Sequence, residues 1–356
     1  MKKSIIVRGP VLSQSGYGEQ ARFALRALRT REDLFDVFIQ ATPWGQTGWI
    51  WEQDDFREWI DDKIRITQIM LARKQLQPEM SLQIGIPNEW QKMCAINIGY
   101  TAGIETNRVA PVWLEKGNEM DKILVVSTHA KNTYESTVAQ ATNNETGETF
   151  PYKLNTPIEV VHERTPEHKP VKLDSIKLHH NFNFLCVSQM GPRKNFENTI
   201  KWFVEEFIDQ RVGLVLKTSV RCNSIGLPLY EAARNALPVV TINWSGQTDF
   251  LCHDGNNYFQ EVDYTVQPIS EQTVWDGVLE RGSMWAYADQ GSFKMTLRKT
   301  KKDWKECKKT AEKLKTIVDD KFSEDRLYKG FVDGVLGFDS SLIEPPTDDQ
   351  LVLEFD

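Results

Sequence analysis

The sequence predicts an α/β protein made of two doubly wound domains that face each other across a cleft. Its 356 residues exceed the length of one ordinary domain. Short apolar segments alternate with amphipathic ones in both halves, a pattern typical of parallel sheets covered by helices on both faces. A stretch rich in proline, histidine and charge, residues 164–175, separates the halves and is predicted to be a linker.

The first half begins with a short apolar strand at residues 5–7. The helix after it places Ala21, Leu25 and Leu28 on one face. Further strands of this half are predicted at residues 36–39, 95–100, 122–126 and 158–161, with a helix from about residue 129. The second half is predicted to contain strands at 182–187, 212–216 and 239–242, and a helix at 197–207. The chain from Trp285 onward is predicted to be helical.

These elements divide the chain into a first domain at residues 1–165, a second at 166–300, and C-terminal helices with a tail at 301–356. We expect the C-terminal helices to pack back on the first domain. The tail, from residue 344, is rich in proline and acidic residues and is expected to be extended.

Composition narrows the class of function. The chain is 40% hydrophobic and 26% charged, with a net charge of −7, so the chain as a whole does not favour nucleic acid, although a local basic groove is compatible with it. The five cysteines are scattered and form no CxxC pair, which favours a reducing compartment. No segment is apolar enough for a leader or a membrane span, so we expect a cytoplasmic protein.

The segment at residues 226–251 carries the strongest signal. Gly226 and Leu227 open a short helix, whose N-terminal N–H groups and partial positive charge suit an anion such as a phosphate. Glu231, one turn further, could accept hydrogen bonds from sugar hydroxyls, and Ser245 and Gly246 make the turn after the next strand. The alternative is an ordinary crossover with a solvated glutamate.

Two other turns hold candidate binding residues. Arg193 and Lys194 follow the first strand of the second half and precede a helix, where two cations can clamp a diphosphate. The alternative is a solvated turn. The turn Gly16, Tyr17, Gly18 follows the first strand of the chain, but it lacks the full GxGxxG spacing. No acidic residue ends the second strand, and both features disfavour a dehydrogenase.

Residues 226–251 and the Arg193-Lys194 pair resemble the nucleotide-sugar-binding segments of retaining GT-B glycosyltransferases of group 1. The resemblance extends from residue 5 to the helix predicted after Trp285. Within the family, the sequence is most similar to enzymes encoded by tailed bacteriophages. The resemblance implies two Rossmann-like domains and a nucleotide diphosphate sugar as substrate, UDP- or GDP-linked, with no cofactor. It assigns the diphosphate and donor sugar to the following residues: Gly16, Tyr17, Gly18, Arg193, Lys194, Gly226, Leu227, Glu231, Ser245 and Gly246.

The resemblance also suggests the acceptor side. Glu105 stands where many relatives place a histidine near the donor sugar, so it is the candidate catalytic residue, with a simple turn-capping role as the alternative. Trp44 and Trp49 are candidates for stacking on an acceptor, or they cover the core. A phage setting implies a hydroxymethylated DNA base as acceptor, beside protein or cell-surface glycan. DNA would require a cationic groove, expected near four residues: Arg22, Arg26, Arg73 and Lys74.

The sequence departs from the family in one place. The family's first glutamate would fall at Asn223, and relatives carry extra strands and helices between the positions of Lys217 and Gly226. We expect that the numbering runs across absent residues, because a true deletion would expose unpaired strand edges. No Asp-x-Asp triplet occurs, so a metal-independent mechanism is expected. The rival interpretations are a nucleotide-sugar-binding protein without catalysis, and a GT-B epimerase or phosphorylase.

Overall fold

The computed structural model describes residues 2–143, 146–167, 171–172, 174, 176–189, 191–219 and 227–337. The predicted donor residue Gly226, the region around Asn223 and the predicted tail therefore lie outside the described residues. No helix within these ranges is long and apolar enough to cross a membrane.

The first half forms a parallel six-stranded sheet, whose strands in spatial order are Phe35–Ala41, Lys3–Gly9, Met80–Ile84, Ile96–Thr101, Lys122–Val125 and Ile158–Val160. Val7, in the second strand of this order, lies between Ile39 and Leu82 of the neighbouring strands. The elements of this half are β1 (Lys3–Gly9), α1 (Gly16–Arg29), β2 (Phe35–Ala41), α2 (Asp55–Ala72), β3 (Met80–Ile84), β4 (Ile96–Thr101), α3 (Pro111–Asn118), β5 (Lys122–Val125), α4 (Thr128–Ser136), β6 (Ala139–Thr142), β7 (Thr149–Tyr152) and β8 (Ile158–Val160).

The second half repeats the alternation of strands and helices. Its described strands include two parallel pairs, β9 with β10 and β11 with β14, and an antiparallel pair of β15 with β16, and these pairs share no ladder within the described ranges. The elements are β9 (Asn183–Gln189), α5 (Phe196–Phe207), β10 (Gly213–Ser219), α6 (Leu227–Arg234), β11 (Val240–Ile242), α7 (Thr248–Leu251), β12 (Cys252–His253), β13 (Asn256–Asn257), β14 (Gln260–Val262), β15 (Tyr264–Pro268), β16 (Met284–Ala288), α8 (Gln290–Lys302), α9 (Trp304–Lys321) and α10 (Glu324–Leu336).

The C-terminal helices join the two halves, as the sequence predicts. Phe331 of α10 is fully buried and meets Phe23 of α1 edge to face, with ring centroids 5.7 Å apart. Leu314 and Val318 of α9 belong to the same apolar core, which also takes in Tyr230 of α6. Burial of this continuous apolar surface is what holds the second half against the first.

The predicted strands and helices are found at their expected places with one error, and the structure adds several elements that the sequence pattern does not predict. Residues 285–288, expected to be helical, belong to β16, which pairs with β15, and the helix begins only at Gln290. Pairing with β15 therefore decides the structure of this segment over its helix propensity. The sequence pattern does not predict α2, β3 or α3, of which β3 is a central, buried strand of the first sheet.

Candidate active site

Glu105 lies on the loop that follows β4, at the carboxyl edge of the first sheet. Gly103 sets the course of this loop with a φ of +75°. A Cβ atom there would lie 2.4 Å from the Cβ of Ala130, so only glycine fits without a shift of α4. Farther along, Asn107 exchanges two hydrogen bonds with Met284 of β16, at 2.9 and 2.8 Å. The loop is therefore fixed at both ends, and Glu105 is held between them.

The carboxylate of Glu105 meets two cations from the second half. Arg193 donates to Oε1 of Glu105 through Nη1, and Nζ of Lys194 lies 3.2 Å from the same oxygen. Both cations come from the short helical turn 192–194 after β9. Asn195, with a left-handed φ of 50°, then starts α5. The carboxyl ends of β4 and β9 thus face each other, which is where open parallel sheets bind ligands.

The charges of this cluster shift one another's proton affinity. Burial opposes ionisation of Glu105, but Lys194 and Arg193 together outweigh it and lower the pKa of Glu105 to about 2. Burial lowers the pKa of Lys194, and Glu105 offsets part of that effect. The three side chains remain 22–33% exposed, so the cluster opens to solvent. Near neutral pH it is an ionised carboxylate between two cations that a second anion can reach.

Trp244 and His129 lie behind Glu105 and contact each other. The sequence did not indicate either residue as part of the site. Trp244 donates its indole N–H to the backbone carbonyl of Glu105 at 2.9 Å. The ring of His129, from the first turn of α4, lies 5.4 Å from that of Trp244. Burial lowers the pKa of His129, and its Nε2 has no partner in the described part of the chain. The signal that could have found Trp244 was its place beside the predicted Ser245-Gly246 turn.

Ser245 and Gly246 lie at the junction of the two halves. Ser245 has a φ of 73°, and a Cβ atom on Gly246 would come within 2.9 Å of Ser127. Asp249, in α7, accepts a hydrogen bond from the backbone N–H of Thr128 at 2.8 Å, which caps α4 from the other half. The turn predicted to bind donor is thus packed tightly against the first half, beside Trp244.

Within the described residues, the other predicted donor residues form no hydrogen bond or ion pair with Glu105, Arg193 or Lys194. Gly16 and Tyr17 begin α1, and the Tyr17 hydroxyl is buried against Thr101 at 2.9 Å. A Cβ on Gly18 would lie 2.0 Å from the carbonyl oxygen of Ser13, so this glycine is required for the packing of its own turn. In the described part of the second half, Leu227 begins α6 and Glu231 is exposed on it. Their donor-binding roles remain predictions.

The two acceptor-side residues differ in exposure, since Trp44 is half-buried and Trp49 is exposed. Trp44 packs on Tyr17 with ring centroids 4.5 Å apart, whereas Trp49 is 65% exposed. The prediction that Arg22 lines a cationic groove is wrong. Arg22 is buried, with Nη2 2.8 Å from Glu19 and Nη1 donating to the carbonyls of Val11 and Ser13.

The other three residues predicted for that groove differ in their pairing and exposure. Arg26 is paired with Glu19 at 2.9 Å and lies over the ring of Phe56. Arg73 and Lys74 are exposed at the end of α2. Two of the four side chains are therefore committed to the structure of α1, and a groove made from all four does not form.

Glu163, immediately before the predicted linker, has a raised pKa. Burial, reinforced by the nearby charge of Glu19, raises the pKa of Glu163 to about 8. Its Oε2 is buried with no partner among the described residues. Glu163 also acts electrostatically on Tyr17 and Tyr100. It is therefore a neutral acid at the base of α1 near neutral pH.

Comparison with known proteins finds likeness to solved structures only. No protein-family model matches the chain, and no curated protein matches it. The chain is similar to a solved structure described as the apo form of the lipopolysaccharide outer core galactosyltransferase WaaB. The two share 12% sequence identity with a TM-score of 0.46, over 94% of this chain and 99% of that one. The residues of this chain, and not that likeness, are the basis of the proposal that follows.

Proposed function

We propose that the chain is a metal-independent, retaining glycosyltransferase of the GT-B type that moves a sugar from a nucleotide diphosphate sugar to an acceptor hydroxyl. One observation carries the proposal. Arg193 and Lys194, at the carboxyl end of β9, converge on a single point opposite the loop after β4. Paired cations at the facing edges of two parallel-strand units suit a diphosphate, whose departure they would assist.

The carboxylate of Glu105 occupies the point where both cations converge. An oxygen of the donor's diphosphate would take that place and release Glu105 into the cleft. While the two cations hold its pKa at about 2, Glu105 is ionised at neutral pH, so the group that a diphosphate displaces is a carboxylate and not a general acid. An ionised carboxylate fits two roles in transfer: orienting the acceptor hydroxyl, and stabilising the positive charge that develops at the sugar's anomeric carbon.

The supporting residues divide the remaining work. Trp244 holds the backbone of Glu105 through its indole N–H, so the carboxylate is positioned by both halves of the chain. Glu231, exposed on α6, would hold hydroxyls of the donor. A DNA acceptor is not part of this proposal, because Arg22 and Arg26 of the expected cationic groove are paired with Glu19.

The proposal is tested by nucleotide binding followed by product analysis. Arg193→Ala or Lys194→Ala should weaken binding of UDP, GDP or ADP by about 1.5–3 kcal/mol each, as expected for charge-assisted hydrogen bonds. Arg211→Ala is the matched control, since that exposed arginine lies outside the cluster and should leave affinity unchanged. Unchanged calorimetric affinity in both cluster variants would remove the diphosphate clamp from the proposal.

Turnover separates the enzyme from the rival binding protein. The wild-type chain is offered a panel of nucleotide sugars with candidate acceptors, and products are identified by mass spectrometry. We expect a glycosylated product from at least one donor, with the anomeric configuration of the donor retained. Tight binding of a nucleotide sugar with no product from any acceptor would instead favour a nucleotide-sugar-binding protein without catalysis.

A further inference from the structure

Two tryptophan side chains are strongly exposed within three residues of each other. Trp49 is 65% and Trp51 is 76% exposed, whereas Trp90 and Trp113 are almost completely buried. Large aromatic side chains that are exposed together on one short segment commonly mark a binding surface. A single exposed aromatic side chain does not, because such residues are common on protein surfaces. The segment runs from residue 44 to residue 53 and is called the tryptophan loop below.

The tryptophan loop is held rigidly at the carboxyl edge of the first sheet, where it follows β2. Ser13 and Trp49 form an antiparallel bridge. The backbone N–H of Gln14 donates to Gly48, and that of Ile50 donates to Leu12, both at 2.8 Å. The exposed indoles are therefore displayed on an ordered backbone, which lowers the entropic cost of binding a ligand.

The tryptophan loop connects to the proposed active site through direct contacts. Trp44, at its start, packs on Tyr17, and the Tyr17 hydroxyl bonds to Thr101. Thr101 ends β4, four residues before Glu105. The charge of Glu105 contributes to the raised pKa of Tyr17. A ligand lying on the indoles would thus extend along the same sheet edge toward Glu105.

The charge of this surface selects the chemistry of its ligand. Residues 9–18 and 41–56 contain no lysine and no arginine, and Glu52, Asp54 and Asp55 are exposed beside the indoles. Arg57, the next cation along the chain, is committed to Asp61 and to the carbonyl of Ile50. Such a surface repels a polyanion, because binding of nucleic acid depends on cations that neutralise its phosphates.

The polar groups of the tryptophan loop suit hydroxyls. Gln46 and Gln53 are exposed amides, each able to donate and to accept, and Glu52 adds an acceptor. Flat indole faces beside such groups complement a sugar ring, which has apolar C–H faces and a rim of hydroxyls. We propose that the tryptophan loop binds an uncharged carbohydrate, the acceptor of the transfer proposed above, on which this inference rests.

The test observes the indoles directly. The full chain is labelled with 5-fluorotryptophan, and the ¹⁹F resonances of Trp49 and Trp51 are assigned from Trp49→Phe and Trp51→Phe. The probes are methyl α-glucoside, methyl β-galactoside, maltose and lactose, with a hydroxymethylcytosine duplex as the anionic probe. We expect at least one glycoside to shift both resonances, and the duplex to shift neither. The resonance of Trp304, a partly exposed residue on α9, should stay in place.

Substitution then measures the contribution of each indole. Trp49→Ala and Trp51→Ala should each weaken glycoside binding between about twofold and tenfold, the range for loss of one aromatic stacking partner, and Trp304→Ala should not change it. No shift by any glycoside, or a shift by the duplex, would overturn the inference.

Binding of UDP in the same samples separates this inference from the proposed function. UDP binding without any glycoside shift overturns the inference alone. A glycoside shift without binding of any nucleotide overturns the proposed transferase and leaves a carbohydrate-binding surface.

Discussion

Replacing Glu105 by glutamine should strengthen the binding of a nucleoside diphosphate. Glu105 now competes with the diphosphate for Arg193 and Lys194, and glutamine has the same shape without the charge. The pKa of Glu105 falls from an ordinary 4.5 to about 2, which corresponds to roughly 3 kcal/mol in favour of the ionised form. Because the side chain is 33% exposed, solvent screening reduces this by about half. About 1–2 kcal/mol remains, a gain of about five- to thirtyfold in affinity.

Isothermal titration of UDP, GDP and ADP into both forms measures the change. Glu89→Gln is the matched control, because Glu89 is exposed on the loop after β3 at the same sheet edge and forms no ion pair within the described residues. Its affinity should equal that of the wild type. Equal or weaker binding by Glu105→Gln would refute the competition, and would mean that Glu105 organises the two cations for the diphosphate instead of displacing it. Turnover should fall in either case if Glu105 takes part in transfer.

Three further predictions concern the fold and the chemistry. Because folded Glu163 keeps a proton that the unfolded chain has released, stability should fall as pH rises from about 5 to about 8; urea unfolding of Glu163→Gln should lack this slope, and an identical slope would contradict the assignment. Gly103→Ala should lower the free energy of unfolding by about 2–4 kcal/mol, since it combines a left-handed φ with a clash against Ala130. Gly147→Ala, with a φ of +73° in open space, should cost only about 1 kcal/mol; equal losses would show that the clash is relieved. Transfer should survive EDTA, and loss of activity restored by manganese would point to a metal site.

The sequence predicted most elements of the first half because their side chains decide the local structure without help. Ala21, Leu25 and Leu28 repeat at helical spacing and are all fully buried, as predicted. The structure of residues 284–288, in contrast, depends on a neighbouring strand. This segment becomes a strand because β15 lies beside it to accept its hydrogen bonds, and this partner is not visible in the local pattern.

The candidate site could be predicted in its residue types but not in its pairing. Arg193 and Lys194 stood out because two cations follow a strand, and Glu105 stood out through a resemblance. Nothing in the sequence indicated that these residues contact one another, since 88 positions separate Glu105 from Arg193. Trp244 was missed for the same reason, because its hydrogen bond to Glu105 depends on how the two halves pack.

The position of Glu105 couples the two halves of the proposed reaction. While Arg193 and Lys194 hold its carboxylate, the anion is neutralised and of little use to a developing positive charge. When a diphosphate takes over the cations, the carboxylate would be released from its ion pairs, and the tryptophan loop would present an acceptor at the same sheet edge. A single competition for two cations would then make the carboxylate available only when the donor is bound. That order would protect the donor from reaction before it is fully seated, and it follows from the ion pairs of Glu105 with Arg193 and Lys194.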